Sequence, residues 1–337
     1  MSLRTRPRHV NSRRGLSIVH VVIAVAAVGF VVLILIIALG AAILLPALGK
    51  ARQSARLLKD GTQVRGIHQS MVTWAGSNKE MFPLPSRLDR SGYTIAPAAP
   101  ANLESSDAAD PQRVKDTTAN IYSVMIWNNV LIPEWMVSPA EPNANIVSMD
   151  TYNNASPTKA VKPQQAQWDP AFSADFTSGQ GNTSYAHSQP SGRVAPNPDP
   201  KKKEPIRTGR LADWGDTYDA STAMVSFRAP QFQTVTASGP NSVSAVFANP
   251  ASISMNAFGR GREWRGNVAF NDNHVETLSI ASGTPHNASR IYRTAAGKQL
   301  ADSIFFDESD DPAQANSFLG IFTTAGEKPA DFKAIWD

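Results

Sequence analysis

The stretch RRGLSIVHVVIAVAAVGFVVLILIIALGAAILLPAL, from Arg13 to Leu48, decides what the rest of the chain can be. No Lys, Arg, Asp or Glu lies between Arg14 and Lys50, and from Val21 to Leu45 nothing is more polar than Gly29 and Gly40. As a helix rising 1.5 Å per residue, those residues reach about 37 Å, enough to cross an apolar layer of about 30 Å with some tilt. A cleaved secretory signal has an apolar region of about 7–15 residues, and this one is longer. The segment predicts a membrane span.

Around it the charge is uneven. Arg4, Arg6, Arg8, Arg13 and Arg14 lie in a short leader, and the other 27 basic residues face 28 acidic ones. The basic excess therefore sits in a leader and not on a folded face, which excludes nucleic acid as a partner. The leader's arginines favour a cytoplasmic N-terminus, although Lys50, Arg52, Arg56 and Lys59 follow the span. The chain contains no cysteine, so disulfides, thiolate nucleophiles and thiolate metal sites are all excluded.

Past the span the helical pattern continues. Leu44, Leu48, Ala51, Ala55 and Leu58, then Val64, Ile67, Met71 and Trp74, recur at spacings of three and four and mark an apolar stripe. Asp60-Gly61 between the two sets predicts a phase slip or kink. Pro46 predicts a bend near the membrane surface, because its nitrogen cannot donate a hydrogen bond. The three segments expected are a leader (1–15), a helix with a membrane half and an amphipathic half (16–76), and an α+β domain (77–337).

The domain opens with a proline- and serine-rich loop over 78–118. A short helix is expected through Ile121, Val124, Met125, Leu131 and Ile132, ended by Pro133. Strands are expected at Thr183–His187, Arg210–Trp214, Ala223–Phe227, Ser242–Ala248, Asn267–Asn271 and His274–Ile280. The last two predict a hairpin through a two-residue turn at Asp272-Asn273, since Asn tolerates positive φ. That register places Phe270 opposite Val275 and Val268 opposite Thr277. A long helix followed by short antiparallel strands and long irregular loops gives an α+β fold.

With these residues in view, the chain resembles the type IV prepilins and pseudopilins. Within them it is similar to the group carrying a C-terminal processing-associated element of the H-X9-DG type. Arg13-Arg14-Gly15-Leu16-Ser17-Ile18-Val19-His20 stands where such proteins have a basic leader ending in Gly, followed by a hydrophobic segment. Leu44-Leu45-Pro46-Ala47-Leu48-Gly49-Lys50-Ala51-Arg52 and Gly266-Asn267-Val268-Ala269-Phe270-Asn271-Asp272-Asn273-His274-Val275 resemble two further stretches of the group. The resemblance implies a pilin-like fold, cleavage by a prepilin peptidase between Gly15 and Leu16 and methylation of the new N-terminus. It further implies recognition of the leader through Arg13 and Arg14, and assembly with other pilin-like subunits through the helix.

Two departures bear on function. The fifth residue after the cleavage point is normally Glu, whose carboxylate neutralises a neighbouring subunit's terminal amine inside an apolar bundle; here it is His20. A neutral imidazole accepts one hydrogen bond but cannot cancel that charge, and an imidazolium repels it. His20, together with Pro46, is therefore the assembly candidate, and the subunit is expected to be minor or atypical. At the C-terminal element, Arg262 replaces the His and Asn273 the Gly.

No enzyme signature is present, so no catalytic residue or organic cofactor is expected. The acidic run Asp307-Glu308-Ser309-Asp310-Asp311 is a secondary Ca²⁺ candidate through Asp307, Glu308, Asp310 and Asp311, against a plain solvated loop. The expectation is a structural subunit of a type II secretion or type IV pilus-like assembly. It would sit in the inner membrane as a single-pass protein, with lipid around the span and its C-terminal domain periplasmic or extracellular. The alternative is an uncleaved, membrane-anchored binding protein that never assembles.

Overall fold

A computed structural model describes residues 18–97, 110–202, 204–237, 241–259, 261–308, 313 and 316–337. The chain forms two units, Met1–Ser54 and Ala55–Asp337, and one helix, Ile18–Ser77, contributes to both.

In the first unit the described residues are helical throughout. Side chains such as Ile18, Val31, Leu39 and Ile43 are exposed on every side. Burying one such side chain is worth about 1.5–3 kcal/mol, so a helix apolar all round calls for an apolar surrounding. It is long and apolar enough to cross a membrane. Pro46 lies inside this helix without ending it, where its missing N–H leaves one carbonyl of the preceding turn without a partner.

In the second unit the helix belongs to the core. Val64, Ile67 and Met71 are buried, as the stripe predicts, whereas Trp74 is only half-buried, Ala75 is buried beside it and Leu58 is exposed. The expected interruption at Asp60-Gly61 does not occur. The helix runs through both residues, and Asp60 is fully buried on the same face as Val64 and Ile67. After Ser77, Lys79 and Glu80 both take φ 58°, and the amides of Asn78 and Glu80 donate to Ala75 O. The short helix Thr118–Trp127 ends five residues earlier than the sequence suggests, since Asn129 turns left-handed (φ 56°).

Among the described residues, eight strands form the two larger sheets: β1 Tyr185–Ser188, β2 Ala223–Phe227, β3 Phe232–Ala237, β4 Ser242–Phe247, β5 Glu263–Phe270, β6 Val275–Ala281, β7 Pro285–Asn287 and β8 Leu319–Gly320. The main sheet has the order β8-β1-β2-β5-β6 and is antiparallel throughout; β3, β4 and β7 form a second antiparallel sheet. One face of the main sheet presents Tyr185, Met224, Val225 and Ala269 to Val64, Ile67 and Met71 of the helix and to Ile121, Tyr122 and Met125 of the short helix. The other face presents Ala186, Trp264, Val268 and Ile280 to Phe232, Ala245 and Phe247 of the second sheet and to Phe305. β1 and β2 are accordingly buried along their whole length.

Two further expectations are corrected. Arg210–Trp214 is not a strand: Gly209–Ala212 forms a 3₁₀ turn in which the buried Arg210 bonds Asn316, Gln189 and Asp307. The β5–β6 hairpin keeps its place but not its register, pairing Ala269 with Val275 and Asn267 with Thr277. Its loop has three residues. Asn273 N donates to Phe270 O (2.8 Å), Phe270 N donates to His274 O (3.0 Å), and Asn273 takes φ 67°. This is a turn followed by a left-handed bulge residue, the usual three-residue hairpin loop.

Candidate functional site

The residues expected to carry processing, Arg13, Arg14, Gly15 and Leu16, lie outside the described residues, as do Asp310 and Asp311. His20 and Pro46 both lie on the exposed apolar helix of the first unit.

Within the second unit, a buried polar seam joins the helix to the main sheet. Asp60 Oδ1 accepts from Ser138 Oγ (2.6 Å) and from Tyr185 OH on β1 (2.9 Å). Its Oδ2 accepts from Asn267 Nδ2 on β5 (2.8 Å). Asn267 Nδ2 also donates to Leu57 O, and its Oδ1 accepts from Thr277 Oγ1 on β6, so both ends of this amide are satisfied. One turn further along, Gln63 Nε2 donates to the carbonyls of Val137 (3.2 Å) and Trp135 (3.3 Å). Burial pushes Asp60 up to about 6, although Ser138, Asn267 and Tyr185 all pull it back down. A carboxylate needs such donors when it leaves water, because an unpaired buried charge costs several kcal/mol.

A second clasp lies at the hairpin tip. Burial lowers the His68 pKa, which favours the neutral ring, and Nδ1–H donates to Asn273 Oδ1 at 3.1 Å. Asn273 Nδ2 donates to Gln69 Oε1 at 2.7 Å. Thus two of the hairpin's three amide side chains, Asn267 and Asn273, hold the helix, and Asn271 bonds the carbonyls of Asp213 and Gly215 instead. At the exposed tip the His274 ring stacks on Phe270, and Asp272 Oδ1 accepts from His274 Nδ1 at 2.5 Å.

Local pattern does not reveal these partners, since they lie far apart in the chain. One signal was present in Asp60 itself, a carboxylate standing on the apolar stripe four residues before Val64.

The described half of the Ca²⁺ candidate is divided between separate partners. Asp307 pairs with Arg210 at 2.5 Å, while Glu308 is buried and accepts from Ser303 N and Asn316 Nδ2. Burial, then the nearby Asp302 charge, pushes Glu308 up, which favours its protonated form over a cation ligand. Among the described residues, no three His, Asp or Glu side chains are placed to hold a metal. Trp168, Trp214 and Trp264 are fully buried, which makes them core residues, and Trp135 is exposed.

No protein-family model, curated protein or solved structure matches this chain. The geometry therefore stands alone. It describes a single apolar helix whose last turns are built into an antiparallel α+β unit, with the polar groups of the seam spent on holding that helix.

Proposed function

We propose that this protein is a pseudopilin-like structural subunit, minor or atypical, of a type II secretion or type IV pilus-like assembly. It acts through helix bundling in the inner membrane and not through catalysis. The observation that carries this reading is the Ile18–Ser77 helix, which offers an exposed apolar surface over one part and is a core element of the α+β unit over the other. A helix used only as an anchor needs no such continuation into the fold. The two stretches that resemble pseudopilins, the helix and the β5–β6 hairpin, are also the ones clasped together through Asn267 and Asn273. On this reading prepilin peptidase removes residues 1–15, and the domain is periplasmic or extracellular.

The test is the mature N-terminus by mass spectrometry of protein from its native membrane. An N-methylated Leu16 is expected, and an intact Met1 would overturn the reading. His20 favours the second reading, an uncleaved anchored binding protein, because it stands where the assembly carboxylate is expected. Cross-linking distinguishes the two: a subunit yields adducts with other pilin-like chains through the helix, and an anchor yields none.

A further inference from the structure

Where the long helix ends, the second unit brings the guanidinium groups of Arg87, Arg90, Arg113 and Arg207 within electrostatic reach of one another. The left-handed pair Lys79 and Glu80 turns the chain and puts Lys79 on a pocket of about 310 Å³, lined also by Trp74, Met81, Phe82, Leu84 and Arg87. Arg87, on the single turn Pro85–Leu88, forms no ion pair among the described residues; its Nη1 donates only to the thioether of Met81. Partial burial, then the like charges of Arg90, Arg113 and Arg207, push Arg87 down. Asp116 attracts it but already accepts from Ser86 N and Oγ and faces Arg113. Arg90 pairs with Asp110, and Arg207 donates to the backbone carbonyl of Trp214 and forms no ion pair among the described residues.

Such a cluster repels itself unless an anion joins it, and guanidinium forks match carboxylates. Apolar side chains share the lining with Ser77 and Asn78: Phe82 and Leu84 are nearly fully buried and Trp74 partly so. Pockets that combine an apolar lining with a few polar anchors are ligand sites. We propose that this pocket binds a carboxylate attached to an apolar group, its charge held by Arg87 and Lys79 and its body set against Trp74 and Met81. The volume suits one aromatic or branched side chain. Two sources fit this chemistry, a free small acid and the C-terminal end of another chain.

The test uses the full chain in dodecyl maltoside micelles and follows the Trp74 indole resonance, assigned with Trp74→Phe. Phenylacetate should shift it saturably with a Kd on the order of 1 mM, and neutral phenylacetamide should not. Arg87→Gln should weaken phenylacetate at least fivefold, as should raising salt from about 50 to 500 mM. Lys79→Gln, on the exposed rim, gives the same reading should Arg87→Gln misfold. A tetrapeptide ending in a free Phe carboxylate that binds tenfold tighter than phenylacetate identifies a chain terminus as the source; equal or weaker binding identifies a free acid. Equal shifts from phenylacetate and phenylacetamide, or unchanged affinity in both variants, would overturn the proposal.

Discussion

Asp60 is a carboxylate taken wholly out of water on the face by which the long helix meets the main sheet. Beside Gly61 it reads as a helix breaker, because local propensity is all that neighbouring positions reveal. In the fold its oxygens are met from Ser138, Tyr185 and Asn267, and the helix continues. The donors do not fully replace water, so burial raises the carboxyl from 3.8 to about 6. Between those values the folded chain keeps a proton that the unfolded chain has released. Stability therefore falls as pH rises through this window, by about 3 kcal/mol at 1.36 kcal/mol per unit, and is flat above it. Asp60→Asn keeps the shape and removes the charge, with the Ser138 and Tyr185 hydroxyls free to rotate and accept. Urea unfolding in micelles at pH 4 and 7.5 should show the variant gaining on wild type by about 2.5 kcal/mol between the two, since pH 4 already lies just inside the window. An unchanged pH slope would show that Asp60 is not the titrating group. Asp60→Ala should instead lose about 3 kcal/mol or more at either pH, since it strands three buried donors.

Among the elements, the β5–β6 hairpin was readable in place and in turn chemistry, with Asn273 at positive φ. Its register was not readable, because two- and three-residue loops differ only in where pairing resumes, and a shift of one residue exchanges the faces of a strand. The observed register puts Asn267 opposite Thr277, where the threonine hydroxyl can hold the amide against the helix. β3 escaped notice because Phe232–Ala237 is mostly exposed and rich in threonine, and so lacks the apolar alternation that marks a buried strand. Arg210–Trp214 misled in the opposite direction, its apolar residues serving a 3₁₀ turn fixed by Arg210 contacts more than twenty and a hundred residues away. The hairpin tip supplies its own test. Asn273→Gly keeps the left-handed backbone but loses the bonds to His68 and Gln69, for an expected cost of about 1–2 kcal/mol. Asn273→Ala loses those bonds and meets the left-handed penalty too, about 1 kcal/mol more. A glycine variant as stable as wild type would reduce Asn273 to a turn former.

For the molecule as a whole, the amphipathic half of the helix was readable from its spacing, and the fold explains why it is indispensable. Val64, Ile67, Met71 and Ala75 supply one wall of the core against Tyr185, Met224, Val225 and Ala269. Asp60 and Gln63 supply polar contacts along the same face. Every buried residue of the long helix lies within the Ala55–Asp337 unit. A chain beginning at Ala55 should therefore retain a cooperative thermal transition without detergent, because removing the exposed apolar part takes nothing from the core. A chain beginning at Asn78 should not. It lays bare one face of the main sheet and strips Tyr185 and Asn267 of partners, and the lost burial of Val64, Ile67 and Met71 alone, at about 1.5–3 kcal/mol each, rivals the whole stability of a domain. Circular dichroism melts of the two truncations check this directly. Equal cooperative transitions would mean that the helix merely rests on the sheet; loss in the shorter chain alone would establish it as part of the fold.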